Sequence, residues 1–291
     1  MRAKHSLEFA RAPAIWPMYP RILLVRKPAL VPEGGAVPRI EARIRDVTVD
    51  PAHLARYARI CAAESGAFLP IAYPHVLAMP LHLAMLGAEA FPVKLLGLVH
   101  LQNRIVMRQP VPAEERAEIR AWIEGHRDTE RGQEFELHTE YLVAGESLWE
   151  EQCVFLARRR GAGARPVVAR GADVPEGVAT STITMQAPAG LGRRYGFVSG
   201  DVNPIHMSNL TARAFGFPRA IAHGMWSLAR IASEFGPALL EGGCDYSVSF
   251  RMPVFMPSEL TLVRWEIPQG AGFLLRGAGE KPHVVGAVTS L

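Results

Sequence analysis

The chain is poor in several things at once, and each shortage excludes a class of protein. It has only three cysteines in 291 residues, Cys61, Cys153 and Cys244. They are far apart, odd in number and form no C-x-x-C spacing, so neither a disulfide framework nor a zinc ribbon is indicated. That usage points to a reducing cytoplasm. Charge of one sign is equally scarce: 32 Lys+Arg against 28 Asp+Glu leaves a net +4. This permits an anionic ligand but does not call for nucleic acid, and no basic-aromatic interleaving accompanies it. No uninterrupted apolar run reaches the roughly 20 residues of a membrane-spanning helix. The richest stretch, Phe68 to Leu86, contains three prolines and two histidines, which suits a buried helix near a pocket. Residues 14–25 faintly imitate a signal peptide, but Pro17, Pro20 and Arg21 interrupt the run and no cleavage site follows. Residues 1–36 therefore read as an apolar N-terminal arm docked on the body. With 49% hydrophobic and 21% charged residues, the remainder has a globular balance.

What the chain does have is an echo of itself. Arg108-Gln109-Pro110-Val111 and Arg251-Met252-Pro253-Val254 both read R-x-P-V, and each arginine is followed 14 positions later by a tryptophan, Trp122 or Trp265. Polar/apolar alternation precedes each motif (His100 to Met107, Tyr246 to Phe250) and resumes after it (Ala117 to Trp122, Leu260 to Trp265). Period-two alternation interrupted by proline predicts two antiparallel strands joined by a proline-containing turn. Upstream of each block lies a helical stretch, Tyr73 to Leu86 and Gly224 to Phe235; in the second, Met225, Leu228, Ala229, Ala232 and Phe235 share one face. Tyr57 and Tyr195 stand further upstream in matching positions. Several matches in one order read as an internal duplication. Between the halves, a Gly-, Pro-, Ala- and Arg-rich stretch over 161–178 reads as a linker, with Arg158, Arg159 and Arg160 at its edge as solvated charges or phosphate contacts.

One segment carries chemistry. Residues 199–206 read Ser-Gly-Asp-Val-Asn-Pro-Ile-His, with Asp201 and His206 five apart. On a regular helix five residues turn through about 500°, so the two side chains would diverge. Pro204 disfavours helix at Asn203, and a bent loop pinned by Asn203 turns both groups toward one space. A carboxylate and an imidazole titrating near pH 6.5 suit proton removal and delivery around a bound water. The bland alternative is an Asx turn before a helix, but the four fixed types in D-x-N-P-x-H arise by chance in such a chain on the order of once in a thousand. Seventeen residues after His206 stands His223, and Gly224 next to it opens the apolar helix. Helix N-termini present unpaired N–H groups, so the Gly224 N–H is a candidate to hold a carbonyl oxygen that gains negative charge. A close helix–sheet approach is the structural alternative for this glycine, and His223 reads as structural.

YGFVSGDVNPIH, followed by FGFPRAIAHGMWSLARIA and YSVSFRMPVFMPSELTL, resembles the MaoC-like (R)-specific enoyl-CoA hydratases and 3-hydroxyacyl-thioester dehydratases of the hotdog fold. The first half is more loosely similar to the N-terminal half of two-hotdog members. The resemblance implies an α+β double hotdog, antiparallel sheets each wrapping a long central helix. It implies a degenerate hotdog domain over 37–160 and a catalytic one over 179–291, packed like the subunits of a dimer. Aligning Tyr57 with Tyr195 puts Ala63 at the place of Asp201 and Phe68 at that of His206, so one active site is expected. By the same resemblance, Asp201 and His206 activate one water for addition to a trans-2-enoyl thioester, Gly224 stabilises the enolate-like oxygen and Asn203 fixes the loop. No metal and no redox cofactor is implied. The substrate carrier is CoA or acyl carrier protein, with Arg193, Arg194 and Arg219 among the possible anion contacts. Phe68, Leu77 and Trp226 are candidate acyl-pocket residues. A thioesterase on the same fold and a non-catalytic acyl-binding subunit are the competing readings. Monomer and homodimer both fit.

Overall fold

The computed structural model describes residues 5–159, 174–235, 242–279 and 281–291. The expected linker, 161–178, lies outside the described residues except for 174–178, and Arg160 lies outside them too. In chain order the elements begin with β1 (His5–Phe9), α1 (Met18–Leu24), β2 (Ile40–Val47), α2 (Pro51–Cys61), α3 (Tyr73–Gly87) and β3 (Leu98–Met107). They continue with β4 (Ala117–Ile123), β5 (Arg127–Thr129), β6 (Gly132–Val143) and β7 (Glu146–Arg158). After the linker come β8 (Thr180–Ala187), α4 (Leu191–Ser199), α5 (Pro204–Met207), α6 (Asn209–Ala214) and α7 (Gly224–Ala232). Four strands close the chain: β9 (Cys244–Phe250), β10 (Ser258–Ile267), β11 (Gly270–Arg276) and β12 (Pro282–Ser290).

These elements form two compact units. One comprises Met1–Val49, Pro74–Asn103 and Glu114–Arg165; the other comprises Asp50–Tyr73, Arg104–Ala113 and Pro166–Leu291. The second unit thus includes two segments that precede the expected linker. In the first unit the strand order is β1-β2-β4-β6-β7, antiparallel except for the parallel β1–β2 pair. The N-terminal arm therefore docks partly as a strand, His5 opposite Ile40. The alternation of β2 explains its placement: Ile40, Ala42 and Ile44 are buried while Glu41 and Arg43 are not. In the second unit the order is β9-β12-β11-β10-β8, antiparallel throughout. Leu260, Leu262 and Phe273 are fully buried there. The helix α3 is apolar on nearly every side, as a helix enclosed by its own core must be.

The alternating segments form strands where the sequence predicts them, but the expected hairpins do not form. Instead β4 pairs with β2 and β6, and β10 with β8 and β11. The cause lies in the proline-rich connections. Pro110, Pro112 and Pro253 lack an N–H and fix φ, which favours extended chain over reversal here. Each R-x-P-V segment bonds elsewhere, to the residues just before a long helix. Leu69 N–H donates to Val111 O (2.8 Å) and Ala113 N–H to Ala67 O (2.9 Å). In the other half Ala222 N–H donates to Val254 O (2.8 Å) and Met256 N–H to Ala220 O (2.9 Å). The repeated motif thus has a repeated structural task, which is to anchor the entrance of the central helix.

Candidate active site

The site lies on the segment from α4 to α7, all within the second unit. Helix α4 ends at Gly200, which takes the left-handed conformation at φ +80° and returns its N–H to Gly196 O at 2.9 Å. Asp201 follows at once. Its backbone N–H reaches Ser199 Oγ at 3.3 Å, and its Oδ1 accepts the Asn203 N–H at 3.1 Å. Asn203 caps α5, with its Oδ1 taking the Ile205 N–H at 3.4 Å and its carbonyl the His206 N–H at 3.0 Å. Pro204 occupies the first helical position, where its missing N–H costs nothing. This short turn is what brings a carboxylate and an imidazole five residues apart onto one side.

Two glycines missed in the sequence make that turn possible. A Cβ on Gly192 would lie 1.9 Å from His206 O, and one on Gly196 would lie 2.8 Å from Asp201 O. The i, i+4 pair leaves one face of α4 bare, so the loop carrying both groups presses directly on the helix backbone. The G-x-x-x-G spacing in LGRRYGFVSG was the available signal.

His206 is 8% exposed, and its Nδ1 lies 2.8 Å from Ile221 O. A carbonyl only accepts, so Nδ1 carries the proton and the neutral ring keeps its lone pair on Nε2. Burial lowers the pKa of His206, and this outweighs the opposing pull of Asp201 and the Ile221 carbonyl. The imidazole is therefore unprotonated at neutral pH. Ligating atoms of Asp201, His206 and His223 lie within 4.8 Å of one another. The Asp201 side chain is 36% exposed, so its carboxylate reaches solvent beside a buried imidazole.

His223 completes the cluster. Its ring stacks on His206 with centroids 3.7 Å apart, and its Nε2 lies 2.8 Å from the Asp201 carbonyl oxygen. It is also the residue before α7, and Gly224 is the first residue of that helix. The Gly224 N–H has no hydrogen-bond partner among the described residues. A Cβ at Gly224 would meet two carbons of the Phe250 ring at 3.1 Å, so close approach and an open N–H coexist at this glycine.

The carboxylate–imidazole–imidazole spacing would admit a metal ion. Each ring gives one N–H to a backbone carbonyl and keeps one lone pair, on His206 Nε2 and His223 Nδ1, but rings stacked 3.7 Å apart do not aim those lone pairs at one point. A second grouping of His75, Glu151 and Cys153 lies in the first unit, wholly buried.

The remaining sequence candidates differ in burial and partners. Trp226 is 2% exposed and donates its indole N–H to Ile60 O at 3.2 Å, a packing bond between α7 and the end of α2. Phe68 is exposed and bridges to Pro112 in the second unit. Leu77, half-buried on α3, belongs to the first unit. Arg193, Arg194 and Arg219 are exposed; Arg193 reaches Met207 O at 3.3 Å and Arg219 lies over the Phe255 ring.

Residues 173–281 match the family model described as a MaoC-like domain. The chain is 30% identical over 266 residues to 3-hydroxyacyl-thioester dehydratase X of Mycobacterium tuberculosis, covering 90% of this chain and 93% of that one. The crystal structure of M. tuberculosis HtdX superposes with a TM-score of 0.75 at 27% identity, over 86% of this chain and all of the other. A MaoC-like dehydratase from Phytophthora capsici shares the fold at 16% identity, with a TM-score of 0.70 over 86% of this chain and 95% of that one. Among the described residues no helix is long and apolar enough to cross a membrane. The fold is the α+β double hotdog, and the chain belongs to the MaoC-like dehydratase family.

Proposed function

We propose that this protein catalyses the reversible hydration of trans-2-enoyl thioesters to (R)-3-hydroxyacyl thioesters, with one working site in the second half of the chain. The observation that carries this reading is the meeting of a solvent-reaching Asp201 carboxylate with a buried, neutral His206 beside the open N–H of Gly224. Its relative named 3-hydroxyacyl-thioester dehydratase supplies the substrate class.

In this mechanism a water sits between Asp201 and His206. Asp201 accepts one of its hydrogens and orients it. His206 Nε2 takes the other proton as the hydroxyl adds to Cβ. The π electrons move toward the thioester, whose oxygen gains charge against the Gly224 N–H at the positive end of α7. The proton on His206 then passes to Cα, and the ring is neutral again. Dehydration is the same path reversed. Asn203 holds the turn through its bonds to Ile205 and His206. Exposed Arg193, Arg194 and Arg219 supply cationic heads for the phosphate of CoA or acyl carrier protein. The first half of the chain is degenerate in this reading, because Pro70-Ile71 follows Leu69 where His223-Gly224 follows Ala222.

The test is loss of enoyl-thioester absorbance with crotonyl-CoA, together with chiral analysis of the product. An (R)-3-hydroxy product with no released thiol is expected. Free thiol without hydration would overturn the reading in favour of a hydrolase.

A further inference from the structure

His223 has no chemical task in the mechanism above, yet its surroundings are unusual. It is 2% exposed and faces Asp201, His206 and Tyr195. Because the Asp201 carbonyl only accepts, His223 Nε2 bears the proton. Its Nδ1 is then a bare lone pair, with no partner among the described residues. An unanswered buried polar atom is costly to keep. Helix capping does not explain its retention, since His223 makes no side-chain bond to α7 and Ser, Thr, Asp or Asn would cap better. Apolar packing does not explain it either, because a phenylalanine would fill the same slot without the orphan nitrogen.

Resting on the hydratase reading, we infer that His223 is a positioning residue: its ring face on His206 and its N–H to the Asp201 carbonyl fix both water-holding groups relative to Gly224. One residue thereby sets three things, two by its side chain and one by its backbone. The Nε2–H fixes the backbone of Asp201, whose Oδ1 is already held by Asn203. The ring plane holds His206, whose Nδ1 is held by Ile221 O. Its own backbone leads directly into the Gly224 N–H. Burial and the neighbouring His206 push the His223 pKa down to about 3, so the ring stays neutral and keeps its donor on Nε2. In the other half Pro70 stands at the matching place, and neither the ring nor the donor is present.

Three variants of the full chain separate the two contributions. His223→Gln keeps an N–H at similar reach without the ring, His223→Phe keeps a ring without the donor, and His223→Met keeps neither. With crotonyl-CoA, kcat should fall about 10-fold in His223→Gln and about 100-fold in the other two, with KM within about threefold of wild type. The exchange rate of the His206 Nδ1–H, read by NMR, reports positioning without any activity. It should rise about 10-fold in His223→Gln and His223→Met, which lose the ring, and stay near wild type in His223→Phe. An unchanged exchange rate in all three variants overturns the inference, as does a change in KM alone. If wild-type protein hydrates nothing, the hydratase reading fails and the exchange measurement still decides the role of His223. Should His223→Phe fail to fold, the exchange rates of His223→Gln and His223→Met against wild type still decide whether the ring holds His206.

Discussion

Glu151 in the first unit and Asp201 in the second are both carboxylates beside histidines, and their settings differ in every other respect. The Glu151 side chain is 0% exposed. His75 Nδ1 lies 2.9 and 2.8 Å from its two oxygens, and Asn103 Nδ2 donates to one of them at 2.7 Å. Helix α3 carries His75 and His82 seven residues apart on one face, and His82 bonds to Thr139 at 2.8 Å. Asp201, by contrast, keeps a third of its side chain in solvent, and His206 has a nitrogen to spare. The lesson is that an acid–base pair of similar composition is structural when donors cover its oxygens, and chemically available when one oxygen and one lone pair face water.

The largest test of that contrast is a crossed one. Asp201→Asn and His206→Ala should each lower hydration of crotonyl-CoA by about 10²–10⁴-fold per folded molecule, with the urea midpoint of Asp201→Asn close to wild type. Glu151→Ala should do the reverse. It leaves His75 and Asn103 donors unanswered in the core and should cost about 3–5 kcal/mol of unfolding free energy, with kcat per folded molecule little changed. If Glu151→Ala lowers kcat as far as Asp201→Asn does, the division between the units collapses.

Acid sharpens the comparison further. Burial by itself would raise the Glu151 carboxyl, but His75, its hydrogen bond and Asn103 overcome burial and hold it down at about 2. A depressed carboxyl contributes stability that is fully present above the unfolded pKa, about 4.3. That stability is lost as pH falls from there toward 2. Urea unfolding followed from pH 6 to pH 2 should show this loss in wild type, and Glu151→Gln should lack that part of the slope. An equal slope in both proteins would mean that Glu151 is not the group responsible.

The turn that carries the candidate site was more legible in the sequence than its frame. Asp201, Asn203 and His206 stand out because a proline and an Asx residue at fixed spacing dictate a turn locally, and the structure builds that turn. Both long helices were legible from their apolar pattern, though α7 ends at Ala232, short of Phe235. The strands were legible too, but their partners were not: pairing is a long-range property, and alternation says only which face is buried. Gly192 and Gly196 were missed because their importance lies in what presses on them, two carbonyls that are distant in pattern though near in space. His223 was read as structural because nothing local distinguishes a histidine at a helix entrance from one that holds two neighbours.

Those glycines give the next test. Gly192→Ala places a methyl 1.9 Å from a backbone carbonyl, which no rotamer change can relieve. The loop and α4 must separate, at a cost of about 1–3 kcal/mol, and His206 moves with the loop. Activity should fall more than stability alone accounts for, as seen by comparing kcat per folded molecule with the urea midpoint. No equivalent linkage is expected for Glu151, whose neighbours hold it in a closed core.

Gly224→Ala carries the smallest expected effect. Alanine keeps the backbone N–H, so if the glycine matters for its donor, catalysis survives the change. Alanine also favours helix over glycine by up to about 1 kcal/mol, less at a helix's first residue than in its interior. Opposing this, the new methyl meets the Phe250 ring at 3.1 Å, a contact that a few tenths of an ångström of ring movement can relieve. The two effects nearly cancel, so stability should change by less than about 1 kcal/mol and kcat by less than about 10-fold. A far larger loss of kcat with unchanged stability would show that substrate must approach the Cα itself, which makes the space at Gly224, as well as its N–H, part of the site.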